Sequence, residues 1–296
     1  MEYPAKIPLR NILYPTDFTR SSFAALPSAR SLARAYGATL HALHVIVPDA
    51  LAYMTPEYMR EGFELQEREA AKKMRQLEQR LTDIPHTIKV TRSNDVWSAV
   101  ESLVKSLDID LIVVGTHGRS GFTRLLAGSG AEEILRRAGV PVMIVGPAHE
   151  RTLSDGHFHR VVFPSDFTPQ SLAAVPYAVS VAQENHAALT LLHVIAKEGR
   201  VKRAHPDGLS IAEALHRLHG IVPPEIESHT HTDTIVEHGE PAERILETAK
   251  SQNADLIVLG VSGRGGLFAA THLENTAHRV IARSACPVLT VCAPAA

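Results

Sequence analysis

Short apolar runs alternate along the chain with longer stretches of helical spacing. NILYPTD (11–17) is an apolar run closed by a turn signal, which predicts a strand. SFAALPSARSLARAYG (22–37) carries apolar residues at helical spacing and stops at Gly37, a residue suited to the left-handed conformation that ends helices. Pro27 lies inside that stretch, so the helix either begins near it or is kinked there. ATLHALHVI (38–46) reads as a second strand and residues 56–81 as a long, charged, amphipathic helix. TIKVTR (87–92), LIVVG (111–115) and PVMIV (141–145) read as strands. DVWSAVESLVKSLD (95–108) and SGAEEILRRAG (129–139) are the helices between them. The order β-α-β-α-β-α-β-α-β predicts an α/β fold, a parallel, doubly wound sheet with right-handed crossovers.

The pattern is then written a second time. Residues 12–46 and 161–195 align without a gap and agree at 17 of 35 positions. DLIVVG (110–115) returns as DLIVLG (255–260), and VPVMIV (140–145) as CPVLTV (286–291). A repeat this long is a whole domain rather than a solenoid unit. Two tandem Rossmann-like domains are expected, residues 1–148 and 157–296, each a five-stranded parallel sheet with helices on both faces. The linker between them is polar and rich in Gly and Pro. A length of 296 residues suits two such domains. The last strands, Val140–Val145 and Cys286–Val291, are edge candidates. Pairing them antiparallel would hide two exposed edges.

In such sheets ligands sit beyond the C-terminal strand ends, where the strand order reverses. The parts available there in the first domain are Pro15, Thr16 and Asp17 after strand 1, Val45 and Ile46 at the end of strand 2, and the glycines of GTHGRSGFTRLLAGSGAEE (115–133). Gly115, Gly118 and Gly128 permit positive φ and close backbone approach. The helix start at Ser129-Gly130 favours an anion. Ser129 is either a hydroxyl donor to that anion or the N-cap of the helix, with Glu132 completing a capping box. Asp17 is either a turn residue or a ligand contact, and Arg119 either a solvated loop charge or a phosphate contact. Neither the dinucleotide fingerprint nor the P-loop motif occurs in this loop.

The spacing G-2x-G-9x-G-S, with YPTDF, HVI and PVMIV, resembles the ATP-binding pattern of the universal stress protein family, whose fold is also described as adenine nucleotide alpha hydrolase-like. The resemblance covers nearly all of both halves. It implies that Asp17 contacts the adenosine moiety and that Val45 lines the adenine pocket. Gly115, Gly118, Arg119, Gly128, Ser129 and Gly130 would then surround ribose and phosphates, with ATP as the ligand, accompanied or not by Mg²⁺. It also implies a regulatory, stress-response role and association of paired units through the last strand, within this chain and, as a further option, between two chains. The alternatives are a slow ATPase or nucleotidyl-transferring enzyme, in which His117 would act, and a scaffold with empty pockets. No nucleophile–base pair is evident, so catalysis is not required.

The second copy keeps Asp166, Val194, Gly260 and Gly263 but not the Gly-Ser pair. Alignment back from Pro287 puts Glu274-Asn275 over Gly128-Ser129, and alignment forward from Gly260 puts Leu273-Glu274 there. A carboxylate about 6 Å from a phosphate repels each charge by about 3 kcal/mol at an effective dielectric near 20. ATP is therefore expected mainly in the first domain.

Composition adds limits. Net charge is −2, so bulk attraction to nucleic acid or acidic membranes is not expected. No apolar run reaches the ~20 residues of a membrane helix. MEYPAKIPLRNILYP has no continuous apolar signal segment, and a cytoplasmic location is expected. Cys286 and Cys292, ~20 Å apart on one strand, are too distant for a bridge. His229, His231 and Asp233 read as an exposed edge strand before they read as a metal site. His44 and His193 are expected as hydrogen-bonded pocket-wall residues rather than bases.

Overall fold

The computed structural model describes residues 7–47, 56–116, 129–146, 155–196, 209–223, 230–261 and 276–292, with residues 56–60 and Ser129 described through the backbone alone. The first domain runs β1 (Asn11–Pro15), α1 (Arg20–Tyr36), β2 (Thr39–Ile46), α2 (Pro56–Glu78), β3 (His86–Arg92), α3 (Val96–Ser106), β4 (Leu111–Gly115), α4 (Ser129–Arg137) and β5 (Val142–Val145). The second runs β6 (Arg160–Pro164), α5 (Pro169–Leu172), α6 (Val175–Asn185), β7 (Ala188–Ala196), α7 (Ile211–His219), β8 (Thr232–Gly239), α8 (Pro241–Ser251), β9 (Leu256–Val261), α9 (Thr276–Arg283) and β10 (Val288–Cys292).

All ten strands form one sheet in the order β3-β2-β1-β4-β5-β10-β9-β6-β7-β8. Every pairing within a domain is parallel. The two halves meet where β5 and β10 pair antiparallel, with Val288 opposite Ile144, Leu289 opposite Met143 and Thr290 opposite Val142. Thr290 Oγ1 also donates to the Val142 carbonyl at 3.0 Å. Both strands start two residues later than the apolar pattern suggests. Pro141 and Pro287 have no N–H to give the ladder, although each carbonyl accepts from the adjacent strand at 3.0 Å. The cysteines consequently flank the paired segment rather than lie in it. Neither is in a disulfide, and buried Cys286 is held by Ser284, whose hydroxyl donates to the Cys286 carbonyl at 2.6 Å.

Apolar side chains fill both faces of the sheet, and each core layer runs from one domain into the other. On the α1/α6 face the domains are also hydrogen-bonded: the Ser180 hydroxyl bonds Tyr36 Oη at 2.9 Å and accepts from the Ile7 amide at 3.2 Å. None of the described helices is long and apolar enough to cross a membrane.

The two copies resolve the proline differently. α1 passes through Pro27, whereas in the second domain α5 stops at Leu172 and α6 restarts at Val175, with Pro176 in its first turn. Proline is tolerated at a helix start because the missing N–H would be unsatisfied there anyway. Gly37 ends α1 at φ 64°, as expected, and His186 takes the same left-handed role after α6 at φ 52°.

Gly115 ends β4 against the start of α1. A Cβ at Gly115 would stand 1.9 Å from the Ser21 carbonyl oxygen, and one at Gly260 would stand 2.1 Å from that of Gln170. These two glycines therefore let a helix backbone seat directly on a strand end. Gly115→Ala is expected to cost about 1–3 kcal/mol through overpacking. Gly37→Ala, whose Cβ meets nothing within 4 Å, is expected to cost about 1 kcal/mol through its left-handed backbone alone. Urea denaturation midpoints of the two variants check the ranking; a Gly115→Ala midpoint equal to wild type would refute the close approach.

Candidate functional site

β1 lies between β2 and β4, so the direction of winding reverses beyond its C-terminal end. The chain there makes a short turn, Thr16–Thr19, before α1. Thr16 N–H bonds the Leu43 carbonyl at 2.8 Å, continuing the ladder one step beyond β1. Its hydroxyl oxygen accepts from the Phe18 amide and bonds Ser22 Oγ, both at 3.1 Å. Ser22 Oγ in turn donates to the Thr19 carbonyl at 3.0 Å, and Tyr14 Oη donates to the Ser22 carbonyl at 2.6 Å.

Asp17 is exposed at the apex of this turn. Its Oδ1 accepts from the Thr19 amide at 3.0 Å and the Thr19 hydroxyl at 2.6 Å, while Thr19 caps α1 through the Ser22 amide. The turn role read from the sequence is thus real, and the same residue also lines a cavity. Phe18 holds φ at 61°, a costly conformation for a bulky side chain, and its ring lies 4.4 Å from the His44 imidazole. His44 Nδ1 is 2.8 Å from the Thr16 carbonyl. Because a carbonyl only accepts, Nδ1 carries the proton.

The second domain repeats these contacts except that of Tyr14, whose place is taken by Phe163, which has no hydroxyl. Ser165 replaces Thr16, Phe167 holds φ 61°, and Asp166 Oδ1 accepts from the Thr168 amide and hydroxyl at 3.1 and 2.6 Å. His193 Nδ1 is 2.8 Å from the Ser165 carbonyl, and its ring stacks on Phe167 at 4.5 Å. Both histidines are hydrogen-bonded as expected, but only His193 also lines a cavity, whereas His44 is not among the lining residues of the first.

Pro15, Thr16, Asp17, Val45, Gly115 and Gly130 line one cavity of about 240 Å³ in the first domain. The sequence reading did not single out Leu43, Val96, Val114, Ala131 and Ile134, which supply its apolar walls. Their buried or half-buried, periodic positions mark them only as core. Ser22 and Phe18, which hold the turn, were missed too. The DFT triplet in both copies is the one signal that could have found Phe18.

Gly130 and Ala131 bring the start of α4 to the cavity. A Cβ on Gly130 would meet the Val96 methyls at 3.2 Å, so this glycine allows α4 to approach α3. Ser129 is the first helical residue of α4 rather than the residue preceding it. Glu132 remains in the first turn. Gly118, Arg119, Gly128 and His117 lie outside the described residues, as do Gly263, Glu274, Asn275 and His229.

The second domain has its own cavity, about 320 Å³, lined by Asp166, Val194 and Gly260. Thr276 and Ala277 border it where Gly130 and Ala131 border the first. That correspondence selects the alignment back from Pro287, with Glu274-Asn275 in register with Gly128-Ser129. Elsewhere, His231 Nε2 pairs with Asp233 at 3.3 Å on an exposed surface beside the outermost strand, β8. Among the described residues, no group of three or more His, Cys, Asp or Glu side chains is arranged to hold a metal ion.

A model of the universal stress protein family matches residues 8–146 and 157–291. A universal stress protein of Mycolicibacterium smegmatis is 28% identical over 295 residues, covering 95% of this chain and 96% of that one. The crystal structure of a universal stress protein from Archaeoglobus fulgidus superposes with a TM-score of 0.71 at 23% identity, over 96% of this chain and 99% of that one. A universal stress protein in complex with cAMP matches 46% of this chain and 97% of its own at 20% identity, with a TM-score of 0.34, too little likeness to carry its ligand over.

Burial holds His44 below the ordinary imidazole range, outweighing the opposing pull of its Thr16 hydrogen bond and of Asp17. Burial likewise depresses His41 and His278, the latter against the charge of Glu132 from the other domain. In the unfolded chain these groups bind protons more readily, so stability is full above about pH 6.5 and declines as the pH falls through the depressed values. The urea midpoint is expected to drop between pH 7.5 and 5.5, a window above the carboxylate range, and the drop should shrink in His44→Gln. A midpoint constant across that window would contradict the assignment.

Proposed function

Because this chain belongs to the universal stress protein family, and because its first domain gathers an acidic turn, an apolar wall and a helix start around one cavity, we propose that this domain binds ATP and serves a regulatory role in the stress response. The observation that carries the reading is the convergence of Asp17, Val45 and Gly130 on that cavity. Val45 and Leu43 offer an apolar surface to a purine. Asp17 stands where it would accept hydrogen bonds from the adenosine moiety. Gly130 brings the positive end of the α4 dipole to the same space, where a phosphate is favoured. Gly115 adds to the wall but owes its lack of a side chain to α1, since the space beside it is filled by Ser21. Phosphate contacts from Gly118, Arg119, Gly128 and Ser129, with or without an accompanying Mg²⁺, complete the proposal from the sequence.

In the second domain, Glu274 in register with Gly128 opposes a triphosphate. One nucleotide per chain is therefore expected. Denaturing the purified protein, or protein first loaded with ATP and Mg²⁺, and chromatographing the released nucleotide should yield about one ATP per chain. Val45→Trp, which fills the first cavity, should weaken ATP binding at least tenfold while leaving the circular dichroism spectrum unchanged. Stoichiometry near two would reject the single-site reading, and no nucleotide after loading would reject nucleotide binding itself.

A further inference from the structure

The second cavity is not a collapsed copy of the first. It is larger, at about 320 against 240 Å³. Apart from His193, the added lining among the described residues is apolar. Ile195 and Ala196 at the end of β7, Leu209 before α7, and Ile245 of α8 all border it. Leu209 sits next to a full capping box, in which Ser210 Oγ accepts from the Glu213 amide at 3.3 Å and Glu213 Oε2 accepts from the Ser210 amide at 2.9 Å. This outer wall is thus anchored to a helix start.

The wall shared with the first domain is intact: Ser165, Asp166 and Val194 line this space as Thr16, Asp17 and Val45 line the first. The anion-receiving end differs. Thr276 places a side chain where Gly130 has none. The cations of α9 are committed elsewhere. Arg279 bonds Glu240 at 2.6 Å and Glu243 at 2.9 Å, and Arg283 bonds both oxygens of Glu243 at 2.5 and 3.0 Å. Glu240 additionally accepts from the Glu243 amide at 3.0 Å and directly precedes Pro241, which lines the cavity. Among the described residues, Arg279 could meet a phosphate only by leaving two carboxylates held at the same place, and the phosphate charge would otherwise stand against apolar walls. An uncharged ligand meets neither obstacle.

We propose that the second-domain cavity is a binding site for an uncharged, nucleoside-sized aromatic ligand, and that it rejects the phosphorylated ligand of the first domain. The proposal rests on the nucleotide reading only in the choice of a nucleoside as ligand, which follows from the wall the two cavities share. Adenosine is the probe. The intact chain is titrated with adenosine in saturating ATP by calorimetry, and the complexes are counted by native mass spectrometry. One adenosine and one ATP are expected on the same chain. Val194→Trp should abolish adenosine binding under these conditions and leave ATP untouched, whereas Val45→Trp should do the reverse. If circular dichroism shows that Val194→Trp does not fold, Leu209→Trp, at the outer end of the cavity, should weaken adenosine at least tenfold. Two ATP molecules per chain, displacement of all adenosine by ATP, or adenosine binding indifferent to the Val194 and Leu209 variants would each overturn the proposal. A wild-type chain that takes no ATP but one Val194-dependent adenosine would uphold it while rejecting the nucleotide role of the first domain.

Discussion

At the C-terminal end of β4 the main chain of α1 lies so close that no side-chain atom fits between them. Gly115 leaves less than 2 Å between a hypothetical Cβ and the Ser21 oxygen, and Gly260 repeats the arrangement with Gln170. This contact fixes where the helix after strand 1 begins. The helix start fixes Thr19 and Ser22, which hold the turn that carries Asp17. The turn presses Phe18 into a left-handed conformation, and its ring against His44 closes the back of the turn. The cavity is what remains once these backbones have been seated, so its position is set by packing that a ligand does not supply.

The alternation of apolar runs and helical stretches, written twice, was enough to read two parallel five-stranded domains, while the joining of their last strands was read from the family resemblance. Periodicity reports burial, and short continuous apolar runs mark strands covered on both faces. Residues whose role depends on an exact backbone contact were less legible. Gly115 looks like a ligand glycine, yet its missing side chain makes room for a helix. Nothing in the letters DFT announces a positive φ at phenylalanine. Ser129 falls one residue inside its helix, and the pairing of β5 with β10 begins after the two prolines rather than at the cysteines. Each of these depends on where one N–H points, and side-chain type says little about that.

Duplication kept the turn and its histidine almost atom for atom while the opposite wall drifted. Thr16 became Ser165 and preserved its bonds to the helix start. Gly130 became Thr276 and Val96 gave way to Pro241, both at the cavity. Selection for the turn is accounted for by folding, because it secures α1 and its counterpart. At the far wall Gly130 packs against Val96, and both of these positions differ together in the second domain.

The antiparallel contact between β5 and β10 has a geometric consequence. All strands of one half run opposite to all strands of the other, so the two cavities, each at the carboxyl ends of its own strands, open at opposite rims of a single ten-stranded sheet. No single small molecule can bridge them. What one rim senses can reach the other only as a deformation transmitted across the shared seam, and a protein that reads both must wrap around the sheet or grip that seam.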